Sequence, residues 1–168
     1  PAIKSIEGIS EWIKKSMEKL KVNEISFIGH SQGCLVGLEF ASRFPKIIKS
    51  LVLVAGSYEL PVNPVLIDYA DGGDMKSVEL MMKWGYEGVK KFIGGNPVQK
   101  IINLPRQVQE SLAVDLRACN NYKNGLKAAS NVSCPTLCIL GDKDKMVPID
   151  KGKKMARNIN NSQLEVIK

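Results

Sequence analysis

The residues best suited to chemistry form the pentapeptide Gly29-His30-Ser31-Gln32-Gly33. It fits G-x-S-x-G, the pattern of a serine on a very tight turn between a strand and a helix. Such a turn forces the serine into a positive-φ backbone conformation. It also brings the residues two before and two after the serine close together, so we expect glycine to be needed at Gly29 and at Gly33. The pattern predicts that Ser31 is a nucleophile whose hydroxyl stands clear of the sheet.

The helix that follows Ser31 favours negative charge beside it. Its dipole and its free N–H groups attract an anion, and we expect the backbone N–H of Gln32 to be one donor of an oxyanion hole. His30 is the one histidine of the chain. We do not interpret it as the catalytic base, because the residue before the serine in such a turn points away from the serine oxygen. A packing or hydrogen-bonding role is favoured, and His30 stays among the candidate pocket residues.

The segments around this motif alternate between helix and strand. Residues 2–20 carry an apolar side chain at every third or fourth position, which is typical of an amphipathic helix. A β-rich run, Ile25–Ile28, leads into the motif, and a helical pattern follows it as far as Pro45, where proline ends it. The continuous apolar run 50–55 is typical of a strand in a parallel sheet with both faces covered. This order predicts the α/β class.

Residues 57–131 have a different character from the segments before and after them. Loop signals occur at 61–64 and 72–73, and helical patterns follow at about 77–85, 88–93, 108–118 and 122–129. We see no clear strand pattern among them. We interpret 57–131 as a helical cap, inserted between a core segment 1–56 that carries the serine motif and a second core segment 132–168.

The second core segment carries a candidate acid. A strand pattern at 135–140 is followed by Gly141-Asp142-Lys143-Asp144, a helix near 149–158 and a final strand near 163–167. Together, 27–33 with its following helix and 134–148 resemble the α/β-hydrolase family, in which an acid follows this strand three residues beyond the glycine. The resemblance implies that Asp144 orients the catalytic histidine. Asp142 is the competing acid, or else a turn-forming aspartate.

The resemblance extends to the predicted cap, where 81–85 and 115–122 are similar to caps of bacterial esterase-like members. It implies an α/β-hydrolase fold, here the C-terminal half of a mostly parallel sheet with an inserted helical cap. It also implies a serine hydrolase that cleaves carboxylic esters or related acyl compounds through an acyl-enzyme intermediate. Two alternatives stay open: a non-catalytic small-molecule-binding protein on the same scaffold, and an acyltransferase.

Two parts of the family pattern are missing from these 168 residues. The family's histidine follows the last strand, and its first strands precede the serine motif. We therefore expect the chain to be a fragment of a longer parent protein that supplies the histidine. Alone it is expected to be inactive and poorly soluble, because the strand at Ile25–Ile28 becomes an open edge.

The predicted cap also suggests the kind of substrate. Its apolar side chains either line a pocket or simply pack the cap, and Met81, Met82 and Trp84 are our main pocket candidates. The wider set is Leu60, Val62, Val65, Leu66, Ile67, Met81, Met82, Trp84, Phe92 and Ile93. We expect a small-molecule ester or acyl substrate with an apolar portion, and the chemistry needs neither a metal nor an organic cofactor.

Composition argues against several other classes of protein. The formal charge is +7, but the lysines are scattered and no aromatic residues interleave with a basic run, so we favour no nucleic-acid partner. No apolar run reaches the ~18 residues of a membrane span. The four cysteines lack the spacing of a disulfide scaffold or a zinc site. Free thiols favour a cytoplasmic protein.

Overall fold

The computed structural model describes residues 3–85 and 106–168. At its centre lies a parallel sheet of four strands in the order β1-β2-β3-β4. The strands are β1 (Ile25–His30), β2 (Ile48–Val54), β3 (Thr136–Gly141) and β4 (Ser162–Ile167). Because all four are parallel, their carboxyl ends meet at one edge of the sheet. The α/β class predicted from the sequence is confirmed.

Helices connect the strands. The described residues contain α1 (Ile6–Leu20), α2 (Gln32–Arg43), α3 (Pro64–Asp71), α4 (Lys76–Gly85), α5 (Arg106–Asn121), α6 (Gly125–Ser130) and α7 (Ile149–Arg157). The first of these begins later than the periodicity predicts. The Ser5 hydroxyl accepts a hydrogen bond of 3.0 Å from the Gly8 N–H and so caps α1 there.

One face of the sheet forms the main core. Phe27 and Leu51 are paired in register on adjacent strands and lie against α2. Leu140 lies on the same face and contacts α7 at Gly152. Phe40 of α2 is completely buried in this core. The strand pattern thus fixes α2, and with it the turn at its start, against the middle of the sheet.

The opposite face of the sheet carries a second set of side chains. Ile28, Val52 and Leu137 form one row across it through the register of the parallel pairs. Within the described residues the helices pack on the other face, and Ile28 is 74% exposed. β1 is also an outermost strand of the sheet, so one of its two sides pairs with no strand of the described residues.

Between β2 and β3 the described chain is helical. The sequence pattern misses α3, where Asn63 caps the helix through a hydrogen bond from the Val65 N–H to its side chain and Pro64 occupies the first turn. The helix expected at 88–93 lies outside the described residues. The short helix α6 packs in the main core through Ala128 and Ala129. No helix in the described parts of the chain is long and apolar enough to span a membrane.

Candidate functional site

The tight turn between β1 and α2 places Ser31 at the carboxyl edge of the sheet. Ser31 has φ 51° and ψ −115°, which is a strained backbone state for a residue with a side chain. Its N–H donates to the Val54 carbonyl at 3.0 Å, and its carbonyl accepts from the Cys34 N–H at 2.9 Å. Hydrogen bonds from both neighbouring elements therefore hold the strained residue in place.

The two glycines of the motif differ in their surroundings. A Cβ atom at Gly29 would lie 2.2 Å from the Gly33 carbonyl oxygen, so this position excludes every larger residue. A Cβ at Gly33 would meet no described heavy atom within 4 Å. The two glycines do approach each other as the sequence predicts, but only Gly29 has no room for a side chain. Gly33 contributes its backbone to the contact.

Ser31 opens into a cavity of about 450 Å³ beside α3, α4 and α5. Most of the described residues that line it are apolar. They are Leu60, Pro61, Val62, Leu66, Met81, Trp84, Leu116, Met146 and Val147, with Ser31, Asn63, Cys119 and Lys145 as the polar members. An apolar cavity with a few polar groups is typical of small-molecule sites.

Several of the pocket candidates predicted from sequence lie in this lining. Met81 and Trp84 are among them, whereas the described lining does not include Met82 or His30. Val65 is 45% exposed on α3. The wider candidates Leu60, Val62 and Leu66 also line the cavity, Ile67 does not belong to the described lining, and Phe92 and Ile93 lie outside the described residues.

The sequence patterns missed one wall of the cavity. Leu116 and Cys119 both line it, and they are three residues apart on α5, so they share one face of the helix. That spacing was a usable signal. Met146 and Val147 come from the turn after β3, and no periodicity marks residues of a turn.

The same turn holds the predicted acid. The Asp144 carboxylate accepts hydrogen bonds from the N–H groups of Met146 at 2.8 Å and Val147 at 3.0 Å. Asp144 is half-buried, whereas Asp142 is exposed. Because Met146 and Val147 line the cavity, these bonds fix the Asp144 carboxylate next to it. The arrangement places Ser31 and Asp144 after two strands of one sheet, at the same edge.

His30 occupies the last position of β1 and is exposed. Alternate residues of a strand share a face, so His30 lies with Ser26 and Ile28 on the side of the sheet away from α2. This agrees with a role other than the base for Ser31. Among the described residues there is no cluster of histidine, cysteine and carboxylate side chains suited to a metal ion.

The cysteines are buried and protonated. Burial raises the pKa of the Cys34 thiol to about 12 and that of the Cys119 thiol to about 11. Cys34 donates to the Gly29 carbonyl at 3.2 Å and so packs beneath the turn. Thiols with such pKa values are mostly un-ionised at neutral pH, and Cys119 is therefore a weak nucleophile in the cavity.

Gln32 begins α2, so its backbone N–H has no partner within the helix. Its side-chain amide donates to the Asp115 carbonyl of α5 at 3.0 Å. Burial raises the pKa of the Asp115 carboxyl, and the hydrogen bond from Gln32 partly offsets this. The Gln32 side chain thus contacts α5, the helix that carries the cavity residues Leu116 and Cys119. Its backbone N–H lies at the start of α2, beside Ser31.

Comparison with known proteins shows the family of this chain. A sequence model described as the alpha/beta hydrolase fold matches residues 5–91, slightly more than half of the chain. A protein named putative carbamate hydrolase RutD, from Stutzerimonas stutzeri, is 25% identical over 187 residues, which cover 99% of this chain and 66% of that protein.

Solved structures give the same fold. The enol-lactonase of Burkholderia xenovorans LB400 has a TM-score of 0.80 at 19% identity, over 97% of this chain and 64% of that one. A thermophilic esterase has a TM-score of 0.79 at 24% identity, over 99% of this chain and 65% of that one. The chain therefore spans slightly less than two thirds of the length of the proteins it matches. By the extent of its family match, this chain belongs to the α/β hydrolase fold family.

Proposed function

We propose that the protein carrying this sequence is a serine hydrolase of carboxylic esters or related acyl compounds. The observation that carries the proposal is Ser31, held at φ 51° at the start of a helix and opening into an apolar cavity. Membership of a family whose relatives here are named as hydrolases, an enol-lactonase and an esterase among them, supports it.

In the proposed reaction, the Ser31 hydroxyl attacks the carbonyl carbon of the substrate and a histidine accepts its proton. The tetrahedral oxyanion is bound by the N–H of Gln32 at the start of α2. Collapse of this intermediate releases the alcohol, which takes the proton from the histidine, and leaves an acyl group on Ser31. Water then attacks the acyl-enzyme by the same route and frees the acid.

The histidine in this scheme is supplied from outside the 168 residues. His30 lies on the far side of the sheet from α2, so it is not assigned as the base. Asp144 is the acid that holds the imidazole in the productive tautomer. Its two hydrogen bonds from backbone N–H groups hold the carboxylate in place for this task.

We place the cap at residues 57–131 in this scheme. Cap side chains such as Met81, Trp84 and Leu116 supply most of the apolar lining, so the bound ester is expected to carry an apolar group. The strain at Ser31 favours a catalytic role over a turn that merely contains a serine, because strained residues persist where function maintains them.

The test uses the protein expressed from its complete reading frame, with 4-nitrophenyl esters from acetate to octanoate. Ser31→Ala is expected to lower kcat/KM by about 10³-fold or more. Ser133→Ala, at an exposed serine before β3, is the matched control and retains full activity. Hydrolysis that survives Ser31→Ala unchanged overturns the assignment of the nucleophile.

The acid is tested in the same assay by a second matched pair. Asp144→Asn keeps an oxygen that accepts the two backbone hydrogen bonds, but it cannot hold a histidine in the correct tautomer, so kcat is expected to fall about 10³- to 10⁴-fold. Asp142→Asn, in the exposed part of the same turn, is expected to change kcat less than twofold. An equal loss in both variants would remove Asp144 from the scheme.

A second candidate function, a small-molecule-binding protein on the same scaffold, is favoured by the position of His30 away from α2. The same experiment decides between the two. If the complete protein binds the esters without hydrolysing them, the binding function is supported and the hydrolase proposal is wrong.

A further inference from the structure

Helices α2 and α5 are joined by side-chain hydrogen bonds at two points. Near the start of α2, Gln32 donates to the Asp115 carbonyl at 3.0 Å. Further along, the Tyr122 hydroxyl, just past the end of α5, donates to the buried Glu39 carboxylate at 2.7 Å. Each pair is separated by 83 residues. The two helices therefore run side by side in the same direction, with the contacts about two turns apart.

An apolar seam fills the space between these contacts. Leu35 and Val36 of α2 pack with Ala118 and Cys119 of α5 in one buried cluster. Cys119 also lines the cavity into which Ser31 opens. The seam alone gives no directional contact that would fix α5 along or around its axis, because apolar packing is non-directional. The polar contacts supply that direction.

The contact at Gln32 lies next to the reacting residue. A helical carbonyl uses one lone pair for its intrahelical bond, and the Asp115 oxygen has a second one available for the Gln32 amide. Gln32 and Asp115 are the chain neighbours of Ser31 and Leu116, which line the cavity. The contact at Glu39 lies about two helical turns further along α2. The two contacts therefore differ in what they position.

We propose that Gln32 is a positioning residue whose side chain holds α5 against the start of α2. It thereby fixes Leu116 and Cys119 as one wall of the cavity beside Ser31. The inference rests on the proposed function, which makes Ser31 the reacting residue. Its consequence is that the Gln32 side chain governs how tightly substrates with larger apolar groups are held, while its backbone N–H serves the oxyanion.

The first experiment measures the wall itself and needs no catalysis. Cys119 is 7% exposed, so its alkylation by iodoacetamide reports how often α5 moves away. Because the Gln32 amide also lowers the pKa of this thiol, the rates are compared per thiolate, from pH–rate profiles of each variant. Gln32→Met conserves volume but removes the donor. The alkylation rate of Cys119, followed by peptide mass spectrometry, is expected to rise about fivefold, because the free energy of one ordinary hydrogen bond corresponds to about that factor. Gln32→Asn keeps the amide but is too short to reach, so the same rise is expected.

The matched control breaks another polar contact of the same helix. Arg117 of α5 forms an exposed ion pair with Asp71 of α3, and exposed pairs contribute little to stability. Arg117→Gln is expected to keep the Cys119 alkylation rate within twofold of the wild type. A wild-type rate in Gln32→Met, or an equal rise in Arg117→Gln, would overturn the proposal.

The second experiment is kinetic and uses the complete protein. Gln32→Met is expected to raise KM for the octanoate ester several-fold more than KM for the acetate ester, with a smaller change in kcat because the backbone N–H remains. A uniform loss for both esters, or a loss in kcat alone, contradicts a role in positioning the wall. If the wild type hydrolyses no ester, the proposed function fails, and the alkylation experiment still decides the role of Gln32.

Discussion

Gly29 and Gly33 occupy symmetric places in the serine motif, but the space available for a side chain differs between them in the structure. Only at Gly29 does an added Cβ collide with backbone, at 2.2 Å from the Gly33 oxygen. Backbone atoms on a strand and on a helix cannot move apart without disturbing the turn that holds Ser31. Gly33 lies in the first turn of α2, where an added Cβ would meet no heavy atom of the described residues within 4 Å.

This asymmetry predicts opposite effects of two identical substitutions. Gly29→Ala is expected to lower the free energy of unfolding by about 3 kcal/mol or more through overpacking. Gly33→Ala is expected to leave it unchanged or raise it by about 0.5–1 kcal/mol, because alanine favours the helix. Urea unfolding followed by circular dichroism measures both. Equal destabilisation by the two variants would show that Gly33 also requires a bare Cα.

Residue types and local spacing were enough to predict the strain at Ser31, because the turn between strand and helix depends on consecutive residues alone. They were not enough to predict the hydrogen bond between Gln32 and Asp115, whose partners are 83 residues apart in sequence. Nothing in the local pattern around Gln32 indicates which carbonyl its amide reaches. The spacing of Leu116 and Cys119 did indicate a shared helix face, but it does not tell which surface of the protein that face meets.

At the scale of elements, all four strands of the described sheet were predicted. A continuous apolar run was enough for β2, because a parallel strand covered on both faces needs one. β1 and β4 mix apolar with polar residues, and β4 is mostly exposed. Helix α3 was missed since Asn63 and Pro64 were interpreted as loop signals. Both residues also favour the start of a helix, where asparagine caps the first N–H groups and proline needs no donor. What decides between the two roles is the burial of Leu66 and Ala70 in the structure, and the local sequence does not show it.

The contact between the end of α5 and α2 carries its own prediction. Glu39 is 4% exposed and accepts hydrogen bonds from Tyr122 at 2.7 Å and Asn124 at 3.0 Å. A buried carboxylate that loses a donor is costly, so Tyr122→Phe is expected to lower the free energy of unfolding by about 1–3 kcal/mol. Tyr69→Phe, whose ring lies under the Lys76 ammonium, is the matched control and is expected to change it by less than about 0.5 kcal/mol.

A double-mutant cycle identifies the carboxylate as the cause. In a Glu39→Gln background the acceptor is neutral, so the further cost of Tyr122→Phe is expected to be smaller than in the wild type. Chemical denaturation of the four proteins measures the coupling. Strictly additive costs would mean that the Tyr122 hydroxyl acts elsewhere than on Glu39.

At the scale of the whole molecule, the distribution of apolar surface is the dominant feature. β1 lies at the edge of the sheet, and Ile28 is 74% exposed on the face opposite the described helices. Ile167 of β4 is 62% exposed on the same face. Strand edges and contiguous apolar faces of this kind promote association between copies of a chain.

The 168-residue chain is therefore expected to self-associate through this sheet face, and Ile28→Lys is expected to reduce the association. A lysine on an edge strand opposes pairing with a second strand because its charge would be buried. Leu20→Lys is the matched control, since Leu20 is also 74% exposed but lies at the end of α1. Sedimentation velocity over a range of concentrations compares the three proteins. If Leu20→Lys dissociates the assemblies as well as Ile28→Lys does, added charge explains the effect and the sheet face does not, whereas dissociation by Ile28→Lys alone assigns the association to β1.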